Sequence, residues 1–82
     1  MKAIILDTDD GYQAFYVQGK LVDSGRSLGE GFGLIHFLQE HQKTYGYRLE
    51  DIEQESLCWE DQELVEMMGY FPQSMDEFEE EY

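Results

Sequence analysis

Between Leu49 and Tyr82 the chain contains no lysine and no arginine, yet it carries thirteen aspartates and glutamates. Residues 1–48 hold all five bases against six acids, a balance of −1, so −13 of the net charge of −14 falls in the second part. A surface of that sign repels phosphate and excludes direct binding to nucleic acid. Cysteine is nearly absent too. Cys58 stands alone, which excludes an internal disulfide and a four-thiolate zinc site. A lone thiol fits a reducing compartment, and the expected location is cytoplasmic. Long apolar runs are also missing. Ala3-Ile4-Ile5-Leu6 gives way to Asp7, too short a stretch for a signal-peptide core or a membrane span.

Core-forming residues are present in quantity. Five Phe, six Tyr and one Trp occur in 82 residues. A domain this small buries about 60–65% of its unfolded surface, and aromatics suit such a core because they bury large areas with few rotatable bonds. A disordered chain of this charge normally lacks them. The expectation is one folded domain over 1–82. Within it, 1–48 forms a near-neutral scaffold and 49–82 an acidic binding half whose last residues are loose.

Local patterns predict an α+β fold. Lys2–Thr8 reads as a strand stopped by Asp9-Asp10-Gly11, a hairpin signal between apolar runs. Tyr12–Gln18 supplies the partner, with Tyr12, Ala14 and Tyr16 on one face and Phe15 and Val17 on the other. Gln18-Gly19-Lys20 turns the chain into a third strand over Leu21–Ser24. The first third is thereby a three-stranded antiparallel meander. Ser27 and Glu30 have capping-box spacing, and Leu34, Ile35, Phe37, Leu38 and His41 recur at helical spacing up to Tyr45 and Gly46. This predicts one amphipathic helix over 28–45, its glycine-weakened start nearer Phe32. A fourth strand is expected through Leu57-Cys58-Trp59 and a short helix over Asp61–Met68 before Gly69. A turn follows at Tyr70-Phe71-Pro72, then a last helix from Ser74 toward Tyr82. The expected architecture is a small antiparallel sheet packed on one amphipathic helix, with short acidic C-terminal helices. Ile4, Leu6, Phe15, Val17, Ile35 and Leu38 form its core.

Several segments imitate chemistry. Asp7-Thr8-Asp9-Asp10-Gly11 fails as a calcium loop, because its sixth position is Tyr12 and its twelfth Gln18. Ile4–Asp9 resembles the opening of the haloacid dehalogenase phosphotransfer motif, but Gly11 stands where that motif needs threonine. An acidic turn accounts for these residues. Gly29-Glu30-Gly31-Phe32-Gly33 lacks the parallel βαβ unit of a nucleotide loop. His36 and His41 are five apart and lie on different helix faces, so they are not a metal pair, and His41 reads as a core-edge residue. Cys58 could pair with His41 but reads as a small buried apolar residue beside Trp59. The expectation is a non-enzyme without catalytic residues, cofactor or metal.

What remains is the acidic half. Acids this dense destabilise a compact state, and solubility alone needs far fewer. Were 49–82 wholly helical, it would span about 51 Å. Thirteen carboxylates would then give one charge per ~4 Å, close to the ~3.4 Å of a single DNA strand. Aromatics interleave with the acids and supply anchors for a basic partner. The expected partner-binding set is Glu53, Glu55, Trp59, Glu60, Asp61 and Glu63, continuing with Glu66, Tyr70, Phe71, Asp76, Glu77, Glu79, Glu80 and Glu81. Its expected partner is a basic, nucleic-acid-binding protein, for example a host defence nuclease complex inhibited by a nucleic-acid mimic. Phage and mobile-element inhibitors are of this type. Two other readings are an immunity or antitoxin partner of a basic toxin, and an adaptor docking through Tyr12, Phe15 and Tyr16 or the Phe37 side of the helix.

Overall fold

Alternating apolar residues in the first third produce three strands, β1 (Ala3–Asp7), β2 (Gln13–Val17) and β3 (Lys20–Gly25). The computed structural model describes residues 2–26, 28 and 33–82. The β2–β3 turn is a two-residue link in which Gln18 (φ 51°) and Gly19 (φ 79°) both take positive φ. That geometry matches the twist of the flanking strands, and glycine adopts it without strain. A register shift at Phe15/Tyr16 sets Asp23 opposite Phe15 and Leu21 opposite Tyr16. The shift inserts Val22 as an extra residue, so Leu21 and Val22 join different cores.

After β3 the chain forms helix α1 (Leu34–Tyr45), closed by Gly46 in the left-handed conformation, whose N–H reaches the Gln42 carbonyl. Leu28 is buried outside the helix. The helix starts later than its periodicity suggested, and the Ser27–Glu30 cap, the Phe32 start and most of the glycine loop lie outside the described residues. A short 3₁₀ turn (Leu49–Asp51) leads into β4 (Ile52–Ser56), then helix α2 (Trp59–Met68) and a second 3₁₀ turn (Met75–Glu77).

The four strands lie in the order β3-β2-β1-β4. β1, β2 and β3 are consecutive antiparallel neighbours, but β4 pairs parallel to β1, with Ala3 beside Ile52 and Leu6 beside Glu55. The sheet is therefore mixed, where an antiparallel one was expected. Helix length supplies the reason. Twelve helical residues rise about 18 Å, close to the ~17 Å of a five-residue strand, so α1 returns the chain to the end from which β3 set out. The next strand must then run in the direction of β3 and β1.

Three further expectations are corrected. The fourth strand is Ile52–Ser56, and Leu57-Cys58-Trp59 is instead the corner into α2, whose first residue is Trp59. The acids of α2 favour that early start, because Glu60 and Asp61 meet the positive end of the helix dipole. The last helix shrinks to one 3₁₀ turn. Ser74 caps it by accepting the Asp76 N–H, and Phe78 leaves extended, since five acids in six residues leave the segment little to bury.

Both faces of the sheet are covered, so the core has two halves rather than one. Under α1 lie Ala3, Ile5, Phe15, Val17, Phe37, Leu38 and Tyr47. Phe15 is wholly buried and meets Phe37 and Tyr47 edge-to-face, at centroid separations of 5.8 and 5.4 Å. Each such pair adds about 0.5–1.5 kcal/mol beyond its buried area. On the other face, Ile4, Leu6, Ala14, Tyr16, Leu57, Phe71 and Phe78 pack together beneath α2 and the chain end. One core assignment changes, and the docking surface of one alternative is lost. Ile35 is 67% exposed, because α1 turns Phe37 and Leu38 inward instead. Phe15, Tyr16 and Phe37 are buried, which removes them from the docking surface of the adaptor reading.

Candidate functional site

The acidic residues sort onto one side of the sheet. Glu53 and Glu55 stand in register with Ile4 and Leu6 and share their face, while Ile52 shares that of Ala3. α2 adds Glu60, Glu63 and Glu66, and the 3₁₀ turn and tail add Asp76, Glu77, Glu79, Glu80 and Glu81, all exposed. On the α1 side Glu40, Glu50 and Asp51 are partnered. Glu40 lies 3.7 Å from Lys43 and 3.9 Å from His36, and Arg48 reaches both Glu50 (2.5 Å) and Asp51 (3.8 Å). Of the ten exposed acids opposite, only Glu53 is within ion-pair distance of a base among the described residues, 3.9 Å from Lys2.

Asp61 departs from the set expected to meet a partner. It is fully buried at the third position of α2. Its carboxylate accepts the N–H groups of Glu79 (2.7 Å) and Glu80 (3.2 Å), the Tyr82 hydroxyl (2.6 Å) and the Cys58 thiol (3.2 Å). Tyr82 in turn accepts the Cys58 N–H at 3.1 Å. Burial pushes the Asp61 carboxyl upward, but the hydrogen bonds from Tyr82, Glu79, Cys58 and Glu80 outweigh it and hold the group below its ordinary 3.8. Burial first, and then the bond to Asp61, raise the Tyr82 phenol above its ordinary range. Asp61 is a clasp that fixes the tail to α2 by its backbone, leaving the tail's own carboxylates facing water. Cys58 is correspondingly no apolar filler: it sits at the helix N-cap and donates to a carboxylate. It also lies on the opposite side of the sheet from His41, which bonds the Phe37 carbonyl on α1. Phe71, another expected contact, is 5% exposed and belongs to the core.

Two concavities lie at opposite ends of β1 and β2. The larger, about 530 Å³, opens between the β1–β2 hairpin and α2. Its rim combines Asp9 and Asp10 of the hairpin with Glu63 and Glu66 of α2, and Tyr12, Val65 and Phe71 line it within. Trp59 and Tyr70, 67% and 60% exposed, stand at its edge. Gln62 sets the spacing of the two walls, accepting the Asp9 N–H at 3.2 Å while donating to the Leu57 carbonyl at 2.9 Å. The smaller, about 460 Å³, lies by Lys2 and Gly19 and is bordered by Asp76 and Glu79–Glu81. Glu55, Glu60 and Glu77 line neither.

Hairpin residues Asp9 and Asp10 were missed as contributors from the sequence, where they read as turn formers, whereas Tyr12 read as a strand residue and as a docking residue of the adaptor alternative only. The only signal of the two aspartates was an excess of acid over what one turn needs. Asp7 has a structural role, accepting side-chain amides of Gln13 and Gln54 across three strands. No three His, Cys, Asp or Glu side chains gather as a metal-binding group among the described residues. Among the described residues, no helix is long and apolar enough to cross a membrane. Comparisons with protein-family models, with curated proteins and with solved structures find no match to this chain.

Proposed function

We propose that this protein is an acidic binding protein that occupies the basic site of a nucleic-acid-binding protein or enzyme, acting as a nucleic-acid mimic or inhibitor. One observation carries the reading: ten exposed carboxylates share one side of the sheet, and among the described residues only Glu53 of these is within ion-pair distance of a base. Like charges held together oppose folding, so leaving them unpaired lowers stability unless a partner's cations complete them. Arginines and lysines that grip phosphates grip carboxylates by the same charge-assisted hydrogen bonds. The rings at Trp59 and Tyr70 add apolar anchors among the acids.

The test is affinity capture on the immobilised protein, from a lysate at low salt, eluted with rising NaCl. The expected result is one basic protein held beyond about 0.3 M and displaced by added DNA or RNA, since diffuse attraction is screened well before that point. A smear of basic proteins leaving by ~0.2 M would overturn the reading. Tight retention that nucleic acid cannot displace would favour the immunity or antitoxin alternative instead.

A further inference from the structure

We propose that the groove between the β1–β2 hairpin and α2 is an arginine-reading subsite, filled by the guanidinium of an extended protein segment of the partner. This deepens the proposed function and rests on it for the partner's basic character.

The groove's volume of about 530 Å³ falls in the range of clefts that enclose side chains or small ligands, roughly 300–1,000 Å³. Its carboxylates come from two elements, Asp9 and Asp10 on one wall and Glu63 and Glu66 on the other, so a cation entering between them meets negative charge from both sides. They share the groove's lining with the exposed Trp59 and Tyr70, and no three of them gather as a metal-binding group among the described residues. Carboxylates beside flat rings suit a planar, weakly hydrated guanidinium, which stacks and forks at once, better than a compact ammonium.

The chain supplies its own illustration. The Arg26 guanidinium lies 5.1 Å over the Tyr12 ring, and Tyr12 lines this groove. The site is also built in advance, because Gln62 ties the hairpin to α2 through hydrogen bonds on both sides. An incoming arginine therefore loses little to reorganisation, and it must tolerate or displace Arg26, which is stacked on Tyr12.

Trp59 is the only tryptophan and stands on the rim, so its fluorescence reports occupancy. The full-length protein is titrated, in 0.15 M NaCl, with a Gly-Arg-Gly-Arg-Gly peptide and with its lysine counterpart. Saturable change with the arginine peptide is expected, with affinity about tenfold above lysine. Glu63→Gln/Glu66→Gln should weaken it about tenfold or more. Glu79→Gln/Glu80→Gln/Glu81→Gln, around the other concavity, should change it less than about twofold. Arg26→Ala should tighten it by about threefold, since a cation stacked on Tyr12, a ring that lines the groove, is removed. Circular dichroism checks that each variant is folded.

No saturable change, equal response to lysine, or equal loss from the tail variant would overturn the subsite. The same variants on the lysate column separate this failure from that of the proposed function. A nucleic-acid-displaceable partner indifferent to Glu63 and Glu66 sinks only the subsite. Peptide binding without any such partner sinks only the mimicry.

Discussion

The two sides of the sheet share the same strands and differ in almost everything laid over them. Under α1 the core is aromatic, and Glu40, Glu50 and Asp51 beside it are matched locally by Lys43 and Arg48. A single buried phenol, Tyr47, locks that side by donating to the Leu38 carbonyl. Under α2 the corresponding phenol is Tyr16, donating to the Pro72 carbonyl at 2.7 Å. There the cover is a ten-residue helix and an irregular tail, outwardly crowded with unpaired carboxylates. Apolar contact, one buried phenol and local ion pairs hold the first side. The second adds a buried charge, Asp61, whose four donors bind the tail against the repulsion of its own side chains. The lesson is that a surface crowded with like charge needs an internal fastening that a surface of matched charges does not.

The largest break in this comparison is Asp61→Ala. It strands the Glu79 and Glu80 amides and the Tyr82 hydroxyl, and should lower stability by about 3–4 kcal/mol in urea unfolding. Amide exchange should quicken at Glu79 and Glu80 while β1 and β2 lose protection only with global unfolding.

Acid should divide the two sides next. A carboxyl whose folded pKa is depressed stabilises fully above its unfolded value and loses that contribution as pH falls through the folded one. For Asp61 the loss therefore begins below about 3.8. Urea midpoints should fall as pH drops below that value, and Asp61→Asn should blunt the fall.

Smaller substitutions sharpen the contrast by sign. Glu60, Glu63 and Glu66 changed together to Gln should stabilise by about 0.5–1 kcal/mol, relieving like-charge repulsion along α2. Glu40→Gln on α1 should instead destabilise by a few tenths, roughly 0.3 kcal/mol, because it breaks exposed pairs with Lys43 and His36. Thermal melts at low and high salt would check both, with the difference shrinking as salt rises. Least of all, Ile35→Lys should move stability by under about 0.5 kcal/mol, as its side chain already faces water.

Much of the fold was legible because it is written in short-range periods. The alternation of Tyr12, Ala14 and Tyr16 against Phe15 and Val17 matches the two cores residue for residue. Gly46 and Gly69 end their helices with left-handed φ of 77°. The errors fall where period is weak. Glu53-Gln54-Glu55-Ser56 has no apolar face to mark it as a strand, since an edge position leaves it largely in water. Ile35 fits the helical stripe as well as Phe37 does, and only the placement of α1 on the sheet chose between them.

The sequence by itself determined the charge division at residue 48, the hairpin chemistry of the first third and the ends of both helices. These depend on composition or on neighbours within one turn or pleat. Tertiary structure decided the parallel entry of β4, the burial of Asp61 and the union of Asp9, Asp10 and Tyr12 with Trp59, Glu63 and Tyr70. Those groups lie some fifty residues apart along the chain. Nothing in a local pattern states which distant acids will share a groove. That follows only from the length of α1, the strand order it imposes and the hydrogen bonds of Gln62 that close hairpin onto helix.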